Sequence, residues 1–218
     1  MQTFSIEKGI AIIDNLIITF RNNKQFLSDI DGLIGDGDHG INMNKGFNLT
    51  REELDKRPGN LVYGFEILSE MLMSRIGGAM GPLYGKFFYA IAGAINGLDN
   101  IGKAELGKAF NAGIKAIESI SPVKVGDKTL IDTLIPAVSA YETAINEGNT
   151  FYDALEVLKK AAEKGYLSTK DMKAKIGRAS RLGERSVGVL DPGAVSCYLI
   201  LETMSNTIQE LIIQEQEN

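Results

Sequence analysis

Cysteine occurs once in the 218 residues, at Cys197, and histidine once, at His39. A single thiol cannot close an internal disulfide, and the apolar neighbours of Cys197 make a free, buried side chain the plain reading. The same scarcity argues against a zinc centre built from Cys and His. An excess of basic charge is also missing. A formal net charge of −5 and a pI near 5.1 argue against nucleic acid or an anionic membrane as partner. No apolar run is long enough to cross a bilayer; the longest, Phe87 to Ile95, is too short. Met1 to Lys8 lacks the basic region and apolar core of a secretory signal. These absences leave a soluble chain expected in the cytoplasm. Its 44% hydrophobic content supplies a substantial core, and residues 1–218 read as one domain.

What the chain does have is a concentrated acidic stretch. Asp31, Asp36, Asp38 and His39 fall within nine positions, with Gly35, Gly37 and Gly40 between and beside them. Carboxylates this close repel one another unless a cation lies between them. Oxygen donors without Cys suit a hard ion, Mg²⁺, Mn²⁺ or Ca²⁺. Three patterns compete. Gly35-x-Gly37-x-x-Gly40 matches the dinucleotide fingerprint as a string, but no strand precedes it and its variable positions carry acids. An EF-hand fails because the twelfth position from Asp36 is Phe47, not Glu. The third is a phosphate site bridged by metal, finished by glycine amides. The plainer alternative is a solvated turn whose Asp38 caps the next helix.

Apolar residues recur at helical spacing nearly throughout, and no strand-like alternation or 20–50-residue repeat is visible. Ile6, Ile10, Ile13 and Ile17 predict a first helix over roughly 3–22, followed by the acidic loop. Further helices are predicted over roughly 38–57, 60–76, 81–96 and 103–120. Thr129-x-x-Asp132 opens a sixth, ending near Gly148, and Thr150-x-x-Asp153 a seventh reaching about Lys173, with Gly165 marking where it would break. Residues 174–190 form the longest irregular segment, and Asp191-Pro192-Gly193 opens an eighth helix that frays from Gln214 to Asn218.

Eight helices on short links imply an up-and-down order of antiparallel neighbours. Every even-numbered helix then starts at the same end, near Asp38, Gly81, Thr129 and Asp191. Those four starts follow the distinctive loops, and their free amides and positive dipole ends favour anions. Gly77 to Pro82 leaves almost no side chain between backbone and ligand, though taken alone a helix–helix turn is the favoured reading. Gly126-Asp127-Lys128-Thr129 has the look of a phosphate loop without the Walker A order; a cap followed by a surface lysine is the bland reading. Arg178, Arg181 and Arg185 suit phosphate by their bidentate geometry, against solvated surface charge. Asp191 reads first as a cap.

Together these motifs resemble the L subunit of dihydroxyacetone kinase, also found as the C-terminal domain of single-chain dihydroxyacetone kinases. The resemblance runs nearly end to end. It rests on Gly-Asp-Gly-Asp-His-Gly-x-Asn-Met at 35–43, Gly-Gly-Ala-x-Gly-Pro-Leu-Tyr-Gly at 77–85 and Gly-Asp-Lys-Thr at 126–129. Gly-Arg-Ala-Ser-x-Leu-Gly-Glu-Arg-Ser at 177–186 and Asp-Pro-Gly-Ala at 191–194 complete it. The fold it implies is all-α, a closed up-and-down barrel of eight antiparallel helices. The cofactors it implies are ADP or ATP and two Mg²⁺ held by Asp31, Asp36 and Asp38. By resemblance, His39, Gly40, Ile41 and Asn42 contact nucleotide, and Gly78, Ala79, Met80, Gly126 and Thr129 line the site. Leu130 covers adenine, Arg178 binds phosphate, and Asp191, Pro192 and Gly193 complete the pocket. Met80 stands where family members often have Ser, which removes a hydroxyl, and Leu130 replaces a frequent Met.

The implied activity is phosphotransfer to dihydroxyacetone held covalently on a partner K subunit, with no nucleophile from this chain. In the phosphotransferase-system versions, ADP stays bound and is rephosphorylated by an M subunit; glycerol metabolism is the implied setting. Two alternatives stand beside this reading. One is a related kinase subunit with another substrate; the other is a nucleotide-sensing regulatory subunit that docks to a transcription factor. The oligomeric state is left open, a homodimer included.

Overall fold

The structure is a computed structural model and describes residues 2–217. Apolar residues at helical spacing form α1 (Ala11–Asn22), α2 (Lys24–Ile34), α3 (His39–Lys56), α4 (Leu61–Arg75) and α5 (Met80–Ile95). They continue as α6 (Lys103–Glu118), α7 (Ile131–Asn146), α8 (Phe151–Ser168) and α9 (Pro192–Glu217). Two short strands, β1 (Thr3–Ser5) and β2 (Asn100–Gly102), pair antiparallel with Phe4 opposite Ile101. The molecule is therefore mostly helical, with a small two-stranded clasp.

Several boundaries differ from the sequence reading. Residues 3–22 are not one helix, because β1 and a 3₁₀ turn at Lys8–Ile10 precede α1. The stretch after Asn22 is not a loop. Leu27, Ile30, Asp31 and Ile34 form the buried face of α2, so the acidic turn shrinks to 35–38. Asn23 bends the chain between α1 and α2 at φ −98° and ψ 7°, with its backbone and side-chain N–H groups both donating to the Thr19 carbonyl. Asp38 makes no side-chain capping bond to α3. Gly165 does not break α8; a Cβ there would lie 2.6 Å from the Asp132 carbonyl oxygen, so it is a close-packing position. Residues 214–217 are helical, and Asn218 lies outside the described residues.

Ring pairs stitch neighbouring elements together. Phe20 of α1 stacks on Phe47 of α3 with centroids 4.3 Å apart, and Phe65 of α4 on Phe88 of α5 at 5.5 Å. Phe110 of α6 meets Tyr141 of α7 edge-on at 6.2 Å. All of these rings are essentially buried. Each helix from α3 to α9 packs on its sequence neighbours, α9 packs on α1, and α1 and α2 both pack on α3. The residues at the starts of α3, α5, α7 and α9 line one pocket. The starts of α3, α5, α7 and α9 consequently share one end of the molecule. Cys197 is buried and free on α9. No helix among the described residues is long and apolar enough to cross a membrane.

Candidate functional site

Asp31 lies on the last turn of α2, and Asp36 and Asp38 in the turn before α3. One carboxylate oxygen from each falls within 4.8 Å of the others. Local backbone chemistry holds them there. Asp31 is only 9% exposed, and its Oδ2 accepts the His39 backbone N–H at 3.2 Å. The Gly35 N–H donates to the Asp31 carbonyl at 2.5 Å, and a Cβ on Gly35 would collide with the Asp31 carboxylate. Gly37 turns the chain with φ +75°, a conformation costly for residues with a side chain. Among the described residues, the one cation in ion-pair contact with this cluster is Arg178, which meets Asp36. Three carboxylates against one guanidinium leave a negative excess. All-oxygen donors at this spacing fit a hard divalent cation.

Beside the acids opens a pocket of about 400 Å³. Its wall draws on the starts of α3, α5, α7 and α9: His39, Ala79 and Met80, Thr129 and Leu130, then Asp191, Pro192 and Gly193. The end of α2 supplies Asp31 and Ile34, and the loop after α8 supplies Gly177 and Arg178. Leu83, Ile117, Ile120, Val123, Leu130 and Ile176 give the lining an apolar part. The lining thus offers both helix starts that suit an anion and apolar surface that suits a flat apolar group.

The pocket wall contains Asp31, Asp36, Asp38, His39, Gly78, Ala79, Met80, Thr129, Leu130, Arg178, Asp191, Pro192 and Gly193. It does not contain Gly40, Ile41, Asn42 or Gly126. Gly40 faces α2, where a Cβ would run into the Lys24 carbonyl, so its smallness lets the two helices approach. Ile41 is half exposed, and the Asn42 N–H closes the first helical turn onto the Asp38 carbonyl at 2.8 Å. The Gly126 N–H donates to Asp132 Oδ1 at 2.5 Å. Sequence reading missed the apolar wall from Ile117 to Val123, because those residues pass for ordinary core and loop. It also missed Tyr84 and Lys128, whose partners are far away in sequence.

Beneath the wall a hydrogen-bonded chain ties three helices. His39 Nε2 is 2.9 Å from Ser196 Oγ, Ser196 Oγ is 2.7 Å from the Tyr84 hydroxyl, and that hydroxyl donates to the Gly193 carbonyl at 2.9 Å. Burial pushes the His39 imidazole down to about 4, so the ring is neutral at neutral pH. Asp191 caps α9 by accepting the Ala194 N–H at 2.7 Å; burial raises its carboxyl to about 7, against that bond and the Lys128 charge. Asp132 accepts the Thr129 N–H at 2.7 Å, fixing the entry to α7.

Lys128 is not the surface lysine of the bland reading. It is 2% exposed, and its ammonium donates to the carbonyls of Met172, Ser186 and Val189 at 3.0, 2.5 and 2.6 Å. Burial lowers its pKa, partly countered by Asp191 and Asp171.

The DAK2 domain matches residues 33–206 of this chain. The chain is 41% identical to the Listeria innocua protein named PEP-dependent dihydroxyacetone kinase 1, ADP-binding subunit DhaL, covering 86% of this chain and 89% of that protein. It is 35% identical to the Escherichia coli K12 protein named PEP-dependent dihydroxyacetone kinase, ADP-binding subunit DhaL, covering 88% and 91% respectively. Among solved structures, the native dihydroxyacetone kinase of C. freundii superposes with a TM-score of 0.69 at 22% identity, over 91% of this chain and 34% of that one. The same enzyme in complex with AMP-PNP and Mg²⁺ gives 0.67 at 22% identity, over 90% and 33%. The chain thus spans about a third of those solved chains, and at that identity the likeness speaks for the fold. The match over residues 33–206 and the identities to the two bacterial proteins establish that the chain belongs to the DAK2 domain family.

Proposed function

We propose that this chain is the nucleotide-binding subunit of a dihydroxyacetone kinase. In this reading the γ-phosphoryl group of ATP passes to dihydroxyacetone held on a partner K subunit. A phosphotransferase-system M subunit would then recharge the bound ADP in a cytoplasmic, glycerol-linked pathway. The observation that carries the proposal is the cluster of Asp31, Asp36 and Asp38 at the mouth of a pocket where four helices begin. The names of the Listeria and E. coli relatives and the AMP-PNP and Mg²⁺ of the C. freundii complex support it. The run of packing from α1 to α9 and back to α1 supports a closed barrel, with α1 and α2 counted as one bent member of eight.

The three aspartates would hold two Mg²⁺, whose chemistry is to neutralise and orient phosphate oxygens. The chain's own groups do the rest. Backbone N–H groups at the helix starts that are not already held, as those of His39, Thr129 and Ala194 are by Asp31, Asp132 and Asp191, would bind and orient the phosphates. Arg178 would leave Asp36 for a phosphate oxygen, which it can grip in bidentate fashion. Leu130 and the wall from Ile117 to Val123 would cover adenine and exclude water. His39, neutral and engaged with Ser196, steadies the wall and is not a phosphocarrier. No nucleophile from this chain is required.

The test is nucleotide retention by the purified chain. With Mg²⁺ present, wild type should hold ADP through gel filtration, and Asp36→Asn should weaken ADP binding by about tenfold or more, as expected for a lost charge contact. Phosphorylation of dihydroxyacetone should appear only when a K subunit is added. Equal ADP retention by wild type and Asp36→Asn, with and without chelator, would overturn the proposal.

A further inference from the structure

We propose that Lys128 is a positioning residue: its buried ammonium, seated on three main-chain carbonyls, fixes the 172–190 loop and thereby presents Arg178 to the phosphate end of the pocket. The proposal rests on the nucleotide reading of Arg178 given above. Four observations lead to it.

The first is saturation. An ammonium has three N–H donors, and Lys128 donates to three carbonyls, those of Met172, Ser186 and Val189. It has no hydrogen left for a ligand, although it lines the pocket. Among the described residues it also has no ion-pair partner; Asp191 and Asp171 act on its charge without pairing with it. Its task is therefore directed at the backbone.

The second is where the acceptors lie. Met172 enters the loop, and Ser186 and Val189 leave it, so one side chain ties both ends. Between them sit Gly177 and Arg178, which line the pocket. The third is what else holds that middle section, a 3₁₀ segment over Arg178–Ser186 that packs on α2. Arg178 contacts Asp36, and Ser180 bonds back to the Gly177 carbonyl within the loop at 2.7 Å. Further ties are Ala174 N–H to Ser186 Oγ at 3.0 Å, Lys175 N–H to the Asp127 carbonyl at 3.2 Å, Gly188 N–H to the Lys170 carbonyl at 2.7 Å and the ion pairs Lys173–Glu184 and Lys175–Asp127, whose lysines are exposed, whereas the Lys128 ammonium is buried and reaches both ends.

The fourth is backbone strain. Lys128 has φ +64°, the only non-glycine residue in that region among the described residues. Glycine adopts this conformation without steric cost, whereas lysine does not. A buried charge in a strained conformation persists only where its surroundings determine it, and such residues gather at working sites.

Two variants of the full chain test this. Lys128→Met keeps most of the volume and removes the donors; Lys128→Gly also relieves the backbone, so that folding is protected. In both, trypsin should cut after Arg181 and Arg185 about tenfold faster than in wild type, with the helical circular dichroism unchanged, because the loop opens locally. Mg·ADP affinity, measured by calorimetry, should fall by about tenfold in Lys128→Met and in Arg178→Gln. The double variant should be little worse than either single one, since the two residues act as one unit. Wild-type cutting rates, or single effects that simply multiply in the double variant, would overturn the proposal. So would global unfolding of both Lys128 variants, because the lysine would then be supporting the whole barrel. If Arg178→Gln leaves Mg·ADP affinity unchanged, the nucleotide role of Arg178 fails, while faster cutting would still show that Lys128 holds the loop.

Discussion

His39 illustrates how a single residue sets a stability profile. Its imidazole titrates at about 4 in the folded chain, against an ordinary 6.5, because burial disfavours the charged form. Between those values the unfolded chain binds a proton that the folded chain refuses, so the stability His39 contributes falls as pH drops from 6.5 towards 4. A shift of that size corresponds to about 3 kcal/mol. Asp191, raised to about 7 by burial, acts with the opposite sign over the same window, so the His39 contribution is read as a difference: in urea titrations in chelator, wild type should fall in stability relative to His39→Gln as pH drops from 6.5 to 4. Residues also mark where sequence reading stops. The clustering of the three aspartates was legible because they stand so close together in sequence. Lys128 was not, since its acceptors are carbonyls, which every residue carries and no composition reveals. Gly40 was read through a motif as a ligand contact, and its observed role is to admit the Lys24 carbonyl.

At the scale of the element, capping separates two aspartate-bearing turns that look alike in sequence. Thr150 Oγ1 accepts the Asp153 N–H at 3.1 Å and donates to the Asp153 carboxylate at 2.7 Å, a built start for α8. Asp38 makes no such bond at α3. Thr150→Ala should therefore cost about 1 kcal/mol of stability, whereas Asp38→Ala measured without divalent cation should cost close to nothing. Chemical denaturation of the two variants side by side checks this. The long helices were legible from their 3.6-residue period, and their starts from Thr, Asp and Pro at expected places. α2 escaped because its glycine and two aspartates drew the stretch into the acidic loop, although Leu27, Ile30 and Ile34 keep helical spacing. The strands escaped because three residues are too few to show alternation.

For the whole molecule, a site assembled from many segments couples ligand to fold. A ligand that binds only the folded chain adds about 2.7 kcal/mol of stability at a hundred times its Kd. Mg²⁺ with ADP should therefore raise the melting temperature well above the effect of either alone, and Asp36→Asn should erase the difference in a thermal scan. The gathering of four helix starts at one end was legible from the up-and-down order expected of consecutive helices, although the connections before α7 and α9 are long. Which apolar residues turn towards the pocket and which towards the core was not, since both faces read as hydrophobic. The position of Asp191, Pro192 and Gly193 at the start of α9 carries a consequence for synthesis. A nascent chain still emerging from the ribosome has its acidic turn early but no far wall until the last helix docks. Occupancy by ligand thus reports that synthesis has passed Asp191, Pro192 and Gly193 and that α9 has docked, and a product cut short before them would register as empty.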